Sequence, residues 1–264
     1  MLRLSAYSAE NLDFMRVSGQ FLKICDCVFS KKKSNDIRKA IRRMSKKKEI
    51  NSLIIGVGGA VAGLYGVVSF NQFVLMSLPL GIRMVSMILT YWLIALIPAI
   101  VMIVNKDKLT DYGFSKEKIG LQIIVGILIG MGMSVLLTLI PHLIGFGEFV
   151  DSGKRYKYLW QFVYEFFNCI FAIGIVEEFV FRGFIFEKIK RIAGKDIIAV
   201  VISSVFFGVF HLFSGNLLQM VMTACMGAFF CFCRLKIKKC STLSLIIGHG
   251  VYDALITVFA SALL

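Results

Sequence analysis

The amino-acid sequence predicts an all-α membrane protein, a polytopic bundle of about seven transmembrane helices. Hydrophobic residues make up 58% of the 264-residue chain and charged residues only 17%, whereas about 25% of the residues in a soluble domain are charged. The charges are also concentrated in short clusters. The runs between these clusters are apolar over about 20 residues, the length that an α-helix needs to cross a bilayer.

Seven apolar segments have a length suited to a transmembrane helix. We expect them near residues 52–75, 84–105, 119–141, 158–187, 196–213, 217–235 and 241–263. The first and third repeat small residues, which let helix backbones approach closely. These residues are Gly56, Gly59, Gly63, Gly126, Gly130 and Gly132. Between residues 72 and 84, Pro79 leaves two interpretations open, a short turn or a re-entrant segment.

The first 50 residues are strongly basic, with 13 Lys or Arg against 5 Asp or Glu. We expect residues 1–50 to form a cytosolic extension ahead of an integral membrane domain at 51–264. Such a polybasic segment is attracted to anionic lipid head groups, and the apolar residues within 9–30 could form a helix on the membrane surface. Nucleic acid is not an expected partner, because no aromatic side chains for base stacking are interleaved with the basic run.

The other basic residues predict the orientation in the membrane. Lys and Arg are abundant in the connections 106–118, 188–195 and 234–239 and scarcer in the connections between them. Because positively charged connections stay on the cytosolic side, we expect a multi-pass protein of the cell membrane with a cytosolic N-terminus. After seven helices the C-terminus would be extracytosolic.

The seven cysteines indicate neither a disulfide framework nor a zinc knuckle. Cys25 and Cys27, and again Cys231 and Cys233, have the spacing Cys-x-Cys, and the chain contains no Cys-x-x-Cys pair. We expect these side chains to be reduced thiols.

Two adjacent carboxylates and an arginine interrupt the otherwise apolar segment 174–187. Ionisable groups at membrane depth are energetically unfavourable and usually mark a functional site. On a helix, Glu178 and Arg182 are four residues apart and share a face, whereas Glu177 points about a quarter-turn away. Arg182 can neutralise Glu178, which leaves Glu177 as the carboxylate free to react. The alternative is a buried ion pair that serves packing alone.

Two histidines and an aspartate lie in the later apolar segments. His211 lies deep in the segment near 196–213, and His249 lies inside the last segment with Asp253 four residues later on the same face. A single histidine in a helical bundle often only bonds a neighbouring helix, but the last four segments hold all of these polar groups. Counted from the expected cytosolic helix ends, Glu177 and His249 are roughly 13–15 Å deep and His211 about 21 Å.

Carboxylates and imidazoles without a paired nucleophile indicate chemistry by activated water. Glu177 could act as general base, while His211 and His249 could bind a divalent metal or donate hydrogen bonds to an oxyanion. The soluble zinc-protease motif His-Glu-x-x-His is absent. Three serines in or beside the apolar segments lack the setting of a serine nucleophile, namely Ser203, Ser204 and Ser244.

Three motifs in order resemble the CAAX prenyl endopeptidase and bacteriocin-processing family of intramembrane metalloproteases, also called the Abi family. They are Glu177-Glu178-Phe179-Val180-Phe181-Arg182, Phe207-Gly208-Val209-Phe210-His211 and His249-Gly250-Val251-Tyr252-Asp253. The resemblance covers about residues 158–255. It implies an endopeptidase that cleaves peptide bonds in or at the edge of the membrane.

The resemblance also implies a role for each motif residue. Glu177 resembles the base that activates water and Glu178 a supporting carboxylate, and Arg182 would orient both glutamates. His211 and His249 would bind a metal or stabilise the oxyanion.

The third motif departs from the prenyl-peptidase pattern at its last position, where Asp253 replaces asparagine. An ionised carboxylate cannot donate to an oxyanion, but it can orient His249 or ligate a metal. We therefore consider prenylated CAAX substrates less expected, and a divalent ion, Zn²⁺ first, a candidate cofactor. Its candidate ligands are Glu177, His211, His249 and Asp253.

Two other classes of function remain open. One is a non-catalytic membrane scaffold or bacteriocin-immunity protein of the same fold. The other is a transporter that uses Glu177 and Asp253 as a proton relay, although the internal symmetry typical of transporters is not evident. For the enzyme, the expected partners are a peptide or membrane-protein substrate and the anionic lipid surface.

Overall fold

A computed structural model describes residues 44–147, 155–212 and 217–262. Within these ranges the chain is predominantly helical and contains no β-strand, which confirms the predicted all-α fold class. The chain divides into two compact units, Met1–Lys48 and Glu49–Leu264, and the helices that carry the candidate site belong to the second. The predicted surface helix within 9–30 lies outside the described residues.

Three long helices make up the first half of the described chain. Helix α1 comprises Met44–Ser77, α2 comprises Leu80–Val104 and α3 comprises Ile119–Phe146. Helix α3 extends five residues beyond the predicted end at Pro141 through two π-helical turns, Val135–Leu139 and His142–Phe146. The second turn is kinked, since Ile144 and Gly145 have non-helical backbone angles.

Four more helices follow. Helix α4 runs through residues 159–193 without interruption, α5 comprises Asp196–His211, α6 Leu217–Lys236 and α7 Thr242–Ala262. The segments of α4 alternate between α- and π-helix. They are Leu159–Asn168, Cys169–Gly174 (π), Ile175–Glu177, Glu178–Ile185 (π) and Phe186–Ala193.

Four helices in the described ranges, α1, α2, α3 and α6, are long and apolar enough to cross a membrane. Two shorter apolar stretches accompany them, namely α5, Asp196–His211, and the part Thr242–Ile256 of α7. A membrane protein with several apolar helices is thus supported. The count of seven spanning helices and the orientation of the termini stay predictions.

The connection between α1 and α2 is a short turn rather than a re-entrant segment. A single 3₁₀ turn, Leu75–Ser77, ends α1, and Pro79 precedes the first residue of α2. One Nη atom of Arg83 donates to the carbonyl oxygens of Met76 and Leu78, at 3.1 Å each. The arginine thereby satisfies carbonyl groups that the turn leaves without helical partners.

Helix α4 ends six residues later than the predicted boundary at 187. Phe186 and Ile189 are buried, and Lys188 is held by ion pairs, so the helix continues beyond the last apolar run. Gly194, with φ of +71°, ends it. Counted from the turn that joins α4 to α5, Glu177 and His211 are then about 24 and 22 Å away, so the later helix end removes the predicted difference in depth between these two residues.

Helices α3 and α7 are in backbone contact through glycines. A Cβ atom added to Gly126 would lie 2.5 Å from the carbonyl oxygen of Ser244, and one added to Gly130 would lie 2.6 Å from that of Gly248. Gly132 has nothing within 4 Å of such an atom. Two of the three predicted small residues of α3 therefore hold α7 in place, next to His249.

All cysteines in the described ranges are thiols rather than disulfides, namely Cys169, Cys225, Cys231, Cys233 and Cys240. Cys25 and Cys27 lie outside these ranges.

Candidate active site

The middle of α4 carries three charged side chains into the protein interior. Glu177, Glu178 and Arg182 are each no more than 2% exposed. Glu178 begins the π-helical segment Glu178–Ile185, whose wider turns change the direction in which successive side chains point. Such π-helical insertions are frequent at functional sites.

Glu178 has two partners at one oxygen, Oε1, while its Oε2 is buried without a hydrogen-bond partner. An Nη atom of Arg182 donates to Oε1 of Glu178 at 2.9 Å, and Nδ1 of His249 lies 2.8 Å from the same oxygen. The guanidinium carbon of Arg182 also lies 4.0 Å from the centre of the Phe207 ring and 5.2 Å from that of Phe230. Arg182 is thus held by the carboxylate and two aromatic faces, as the motif spacing predicted for Glu178 and Arg182.

Glu177 is engaged through one oxygen and open at the other. Its Oε1 accepts a hydrogen bond from the hydroxyl of Tyr91. Its Oε2 is buried without a hydrogen-bond partner and lies 3.8 Å from Nε2 of His211 and 3.8 Å from Nε2 of His249. The structure therefore brings together the carboxylate and both histidines at one oxygen atom.

The hydrogen bonds at Nδ1 orient both imidazole rings. Nδ1 of His211 lies 2.9 Å from the carbonyl oxygen of Phe207, and Nδ1 of His249 faces the Glu178 carboxylate. Carbonyl and carboxylate oxygens only accept hydrogen bonds, so each Nδ1 carries the proton and donates. Each Nε2 is then directed towards Glu177.

Asp253 lies beside the Nε2 edge of His249, the edge that also faces Glu177. Its Oδ2 is 3.4 Å from Nε2 of His249, one turn further along α7. His249 is thus surrounded by Glu177, Glu178 and Asp253.

The site contains more ionisable carboxyl groups than guanidinium groups. Three carboxylates, those of Glu177, Glu178 and Asp253, face one guanidinium, that of Arg182. Buried charges need compensation, and a proton on a carboxylate, protons on the imidazoles or a bound cation can each supply it.

The fit of a metal ion can be judged from the donor atoms. Zinc binds N and O ligands at about 2.0–2.2 Å, which places neighbouring ligand atoms about 3.3–3.6 Å apart. The donor pairs here are 3.4 to 3.8 Å apart, and both histidines have the hydrogen-bonded Nδ1 typical of metal ligands. Within the described ranges, however, no three His, Cys, Asp or Glu side chains converge into a formed metal cluster. The donor types and ring orientations thus suit a divalent ion, although these groups do not form a metal cluster in the described ranges.

Sequence reasoning did not identify Tyr91. Its hydroxyl lies within an apolar run, but the hydroxyl of Thr90 beside it lies in the same run and donates to carbonyl oxygens of its own helix, those of Ser86 at 2.7 Å and Met87 at 3.4 Å. The sequence therefore held no signal that separates the two.

Comparison with known protein families gives a match over the part of the chain that carries the three motifs. Residues 159–255 match the family model described as type II CAAX prenyl endopeptidase, Rce1-like. The match confirms the resemblance seen in the motifs and supports an intramembrane endopeptidase at the level of the family. It includes every predicted polar site residue but not Tyr91. No curated protein and no solved structure matches significantly.

Proposed function

We propose that this protein is an intramembrane endopeptidase in which Glu177 activates a water molecule for attack on a peptide carbonyl. One observation carries the proposal: Oε2 of Glu177 is buried, has no hydrogen-bond partner and faces Nε2 of both His211 and His249. Glu178 also has an unpartnered Oε2, but its Oε1 is ion-paired with Arg182 and contacts Nδ1 of His249, so we assign the role of the base to Glu177.

The chemistry follows from the positions of these groups. A water molecule bound beside Oε2 of Glu177 gives its proton to that oxygen as the water oxygen attacks the carbonyl carbon. The electron pair of the carbonyl double bond moves to its oxygen and forms an oxyanion, which the edges of His211 and His249 face. When the C–N bond breaks, Glu177 returns the proton to the departing amine.

The two roles considered for the histidines differ in what carries positive charge at Nε2. As oxyanion donors they need a second proton on the ring, which the excess of carboxylates favours. As metal ligands they need an unprotonated Nε2. A divalent ion, Zn²⁺ first, would be held by Glu177, His211, His249 and Asp253 and would polarise the carbonyl or the water.

The direct test is cleavage by the purified full-length protein in liposomes. Fluorogenic peptides with apolar membrane segments, with and without a lipid-modified C-terminal cysteine, would be compared for wild type, Glu177→Gln and His249→Gln. The control is Glu117→Gln, which removes an exposed carboxylate paired with Lys239 at 3.1 Å. We expect Glu177→Gln to lower kcat by about 10²–10⁴-fold, the contribution of a general base, and the control to cleave like wild type.

Wild-type-like cleavage by folded Glu177→Gln would overturn the proposal. Full cellular function with that variant would instead favour a non-catalytic scaffold. Metal analysis of the same samples separates the two roles of the histidines. Stoichiometric metal that is lost together with activity on chelation and restored on re-addition assigns them as ligands, and full activity of metal-free protein assigns them as oxyanion donors.

The substrate class proposed is a peptide or membrane-protein segment that reaches the site within the membrane. Asp253 stands where the prenyl-peptidase pattern has asparagine, so we expect the unmodified membrane peptides to be the better substrates. The basic residues 1–50 would place the N-terminus at an anionic cytosolic lipid surface.

A further inference from the structure

We infer that Tyr91 is a positioning residue of the active site, which fixes the carboxyl group of Glu177 so that Oε2 is the atom presented to water. This inference rests on the proposed function and extends it to a residue outside the segment 159–255. The hydroxyl of Tyr91 donates to Oε1 of Glu177 across 86 residues of sequence. The other oxygen is thereby the one that faces His211 and His249.

A break in α2 brings the tyrosine to this place. The helix consists of Leu80–Tyr91 and Leu93–Val104, joined at Trp92. At the junction the N–H of Trp92 bonds to the carbonyl of Leu89 at 3.3 Å and that of Ala95 to Trp92 at 3.1 Å. These bonds span three residues instead of four and tighten the turn.

A proline, Pro98, follows this junction in α2. It lies inside the second segment of α2, has no N–H and crowds the carbonyl four residues earlier, that of Ile94. Ile94 and Ala95 are buried in the same apolar cluster as Val176 and Val180 of α4. The second half of α2 is thus anchored beside Glu177, and the junction directs Tyr91 towards the carboxyl group.

The hydrogen bond reduces the freedom of the base. A carboxyl group with two unpartnered oxygens can rotate about its last side-chain bond, whose torsional preference is broad. With Oε1 held by Tyr91, rotation would break a hydrogen bond to a charged group, which is stronger than a neutral one. Small errors in the placement of a reacting group lower rates strongly, so loss of the hydroxyl should act on the chemical step.

The test compares Tyr91→Phe with Tyr164→Phe in liposomes. Tyr164 is the matched control, because its hydroxyl donates to a backbone oxygen, that of Met84, at 2.9 Å. We expect Tyr91→Phe to lower kcat about 10- to 100-fold with KM within about twofold, the effect of one hydrogen bond to a charged group. Tyr164→Phe should change kcat by less than about threefold, the low end for a neutral hydrogen bond.

A second measurement does not depend on proteolysis. The infrared carboxyl band of Glu177 is isolated by subtracting the spectrum of Glu177→Gln from that of wild type. In the Tyr91→Phe background it is isolated in the same way, by subtracting the spectrum of the double variant Tyr91→Phe/Glu177→Gln. The band should differ in frequency between the two backgrounds. It should stay unchanged in Tyr164→Phe. If Tyr91→Phe fails to fold, 3-fluorotyrosine at position 91 keeps the ring and strengthens the donor, and the same band should shift.

The outcomes separate the two proposals. An unshifted band would refute the contact, and a shifted band with unchanged kcat would refute the positioning role. A shifted band in a protein that cleaves no peptide would support the contact and count against the proposed function instead.

Discussion

Nδ1 of His249 lies 2.8 Å from Oε1 of Glu178. This contact turns the opposite edge of the imidazole towards the adjacent Glu177, whose Oε2 is 3.8 Å from Nε2. Two neighbouring residues of one helix thus meet opposite sides of the same ring. One glutamate orients the histidine, and the other shares the reacting space with it.

Glu178→Gln should therefore be milder than Glu177→Gln. Glutamine keeps an oxygen that accepts from His249 and from Arg182 but loses the negative charge, so we expect kcat to fall about 10–100-fold, the range for groups that orient a functional histidine. The measurement is cleavage in liposomes, with metal content recorded.

Removal of the Glu178 side chain should lower the stability of the protein. Glu178→Ala leaves Arg182 buried without its anion, which costs about 3–5 kcal/mol and should lower the apparent Tm well below that of Glu178→Gln. Equal losses of activity in Glu177→Gln and Glu178→Gln would contradict the division of roles.

The six polar site residues could be found from sequence because charge inside an apolar run is costly and therefore visible. Tyr91 could not be found, since a neutral hydroxyl costs little and its role depends on the break of α2 near Pro98. The end of α4 was missed for a related reason. Lys188 looks like a solvent-exposed residue in sequence, but tertiary ion pairs bury it.

Asp253→Asn tests the departure from the prenyl-peptidase pattern. An asparagine can still contact Nε2 of His249, which lies 3.4 Å from Oδ2 of Asp253, so we expect cleavage within about tenfold of wild type, the value of one hydrogen bond. Asp253→Ala should lose at least about tenfold more, because the contact disappears. Abolished cleavage in Asp253→Asn would show that the carboxylate charge itself is required, as for a metal ligand.

A charge cluster at the end of α4 makes stability depend on pH. Nζ of Lys188 lies 2.8 Å from Glu49 and 2.9 Å from Asp107, and the hydroxyl of Tyr112 donates to Asp107 at 2.6 Å. Burial raises the pKa of Asp107, but the hydrogen bonds from Tyr112 and Lys188 and the charges of Lys188 and Arg191 outweigh it and hold this pKa below its usual 3.8. Because the pKa is lower in the folded state, the carboxylate stabilises the fold above about pH 4 and loses this effect as the pH falls through the lowered pKa.

Asp107→Asn should therefore lower the apparent Tm at pH 7 and matter less near pH 3. We expect the free energy of unfolding to fall by about 1 kcal/mol at pH 7, less than a hydrogen bond to a charged group usually contributes, because solvent reaches and screens this side chain. Thermal unfolding in detergent at both pH values measures it. Asp196→Asn, which breaks an exposed pair with Lys190 at 3.0 Å, should change the apparent Tm little at either pH. A penalty for Asp107→Asn that is the same at pH 3 and pH 7 would contradict the argument.

Gly130→Ala tests whether the contact of α3 with α7 holds the histidine in place. The added Cβ would lie 2.6 Å from the carbonyl oxygen of Gly248 and 2.8 Å from Cβ of Val251, and since a backbone atom cannot swing aside, α7 has to move. We expect a loss of about 1–3 kcal/mol in stability, typical of overpacking. We also expect kcat to fall by up to about 10²-fold, because His249 follows Gly248 directly and shifts with it. Gly132→Ala on the same helix meets nothing within 4 Å and should keep both properties. If the two variants behave alike in unfolding and cleavage assays, the α3–α7 contact does not position His249.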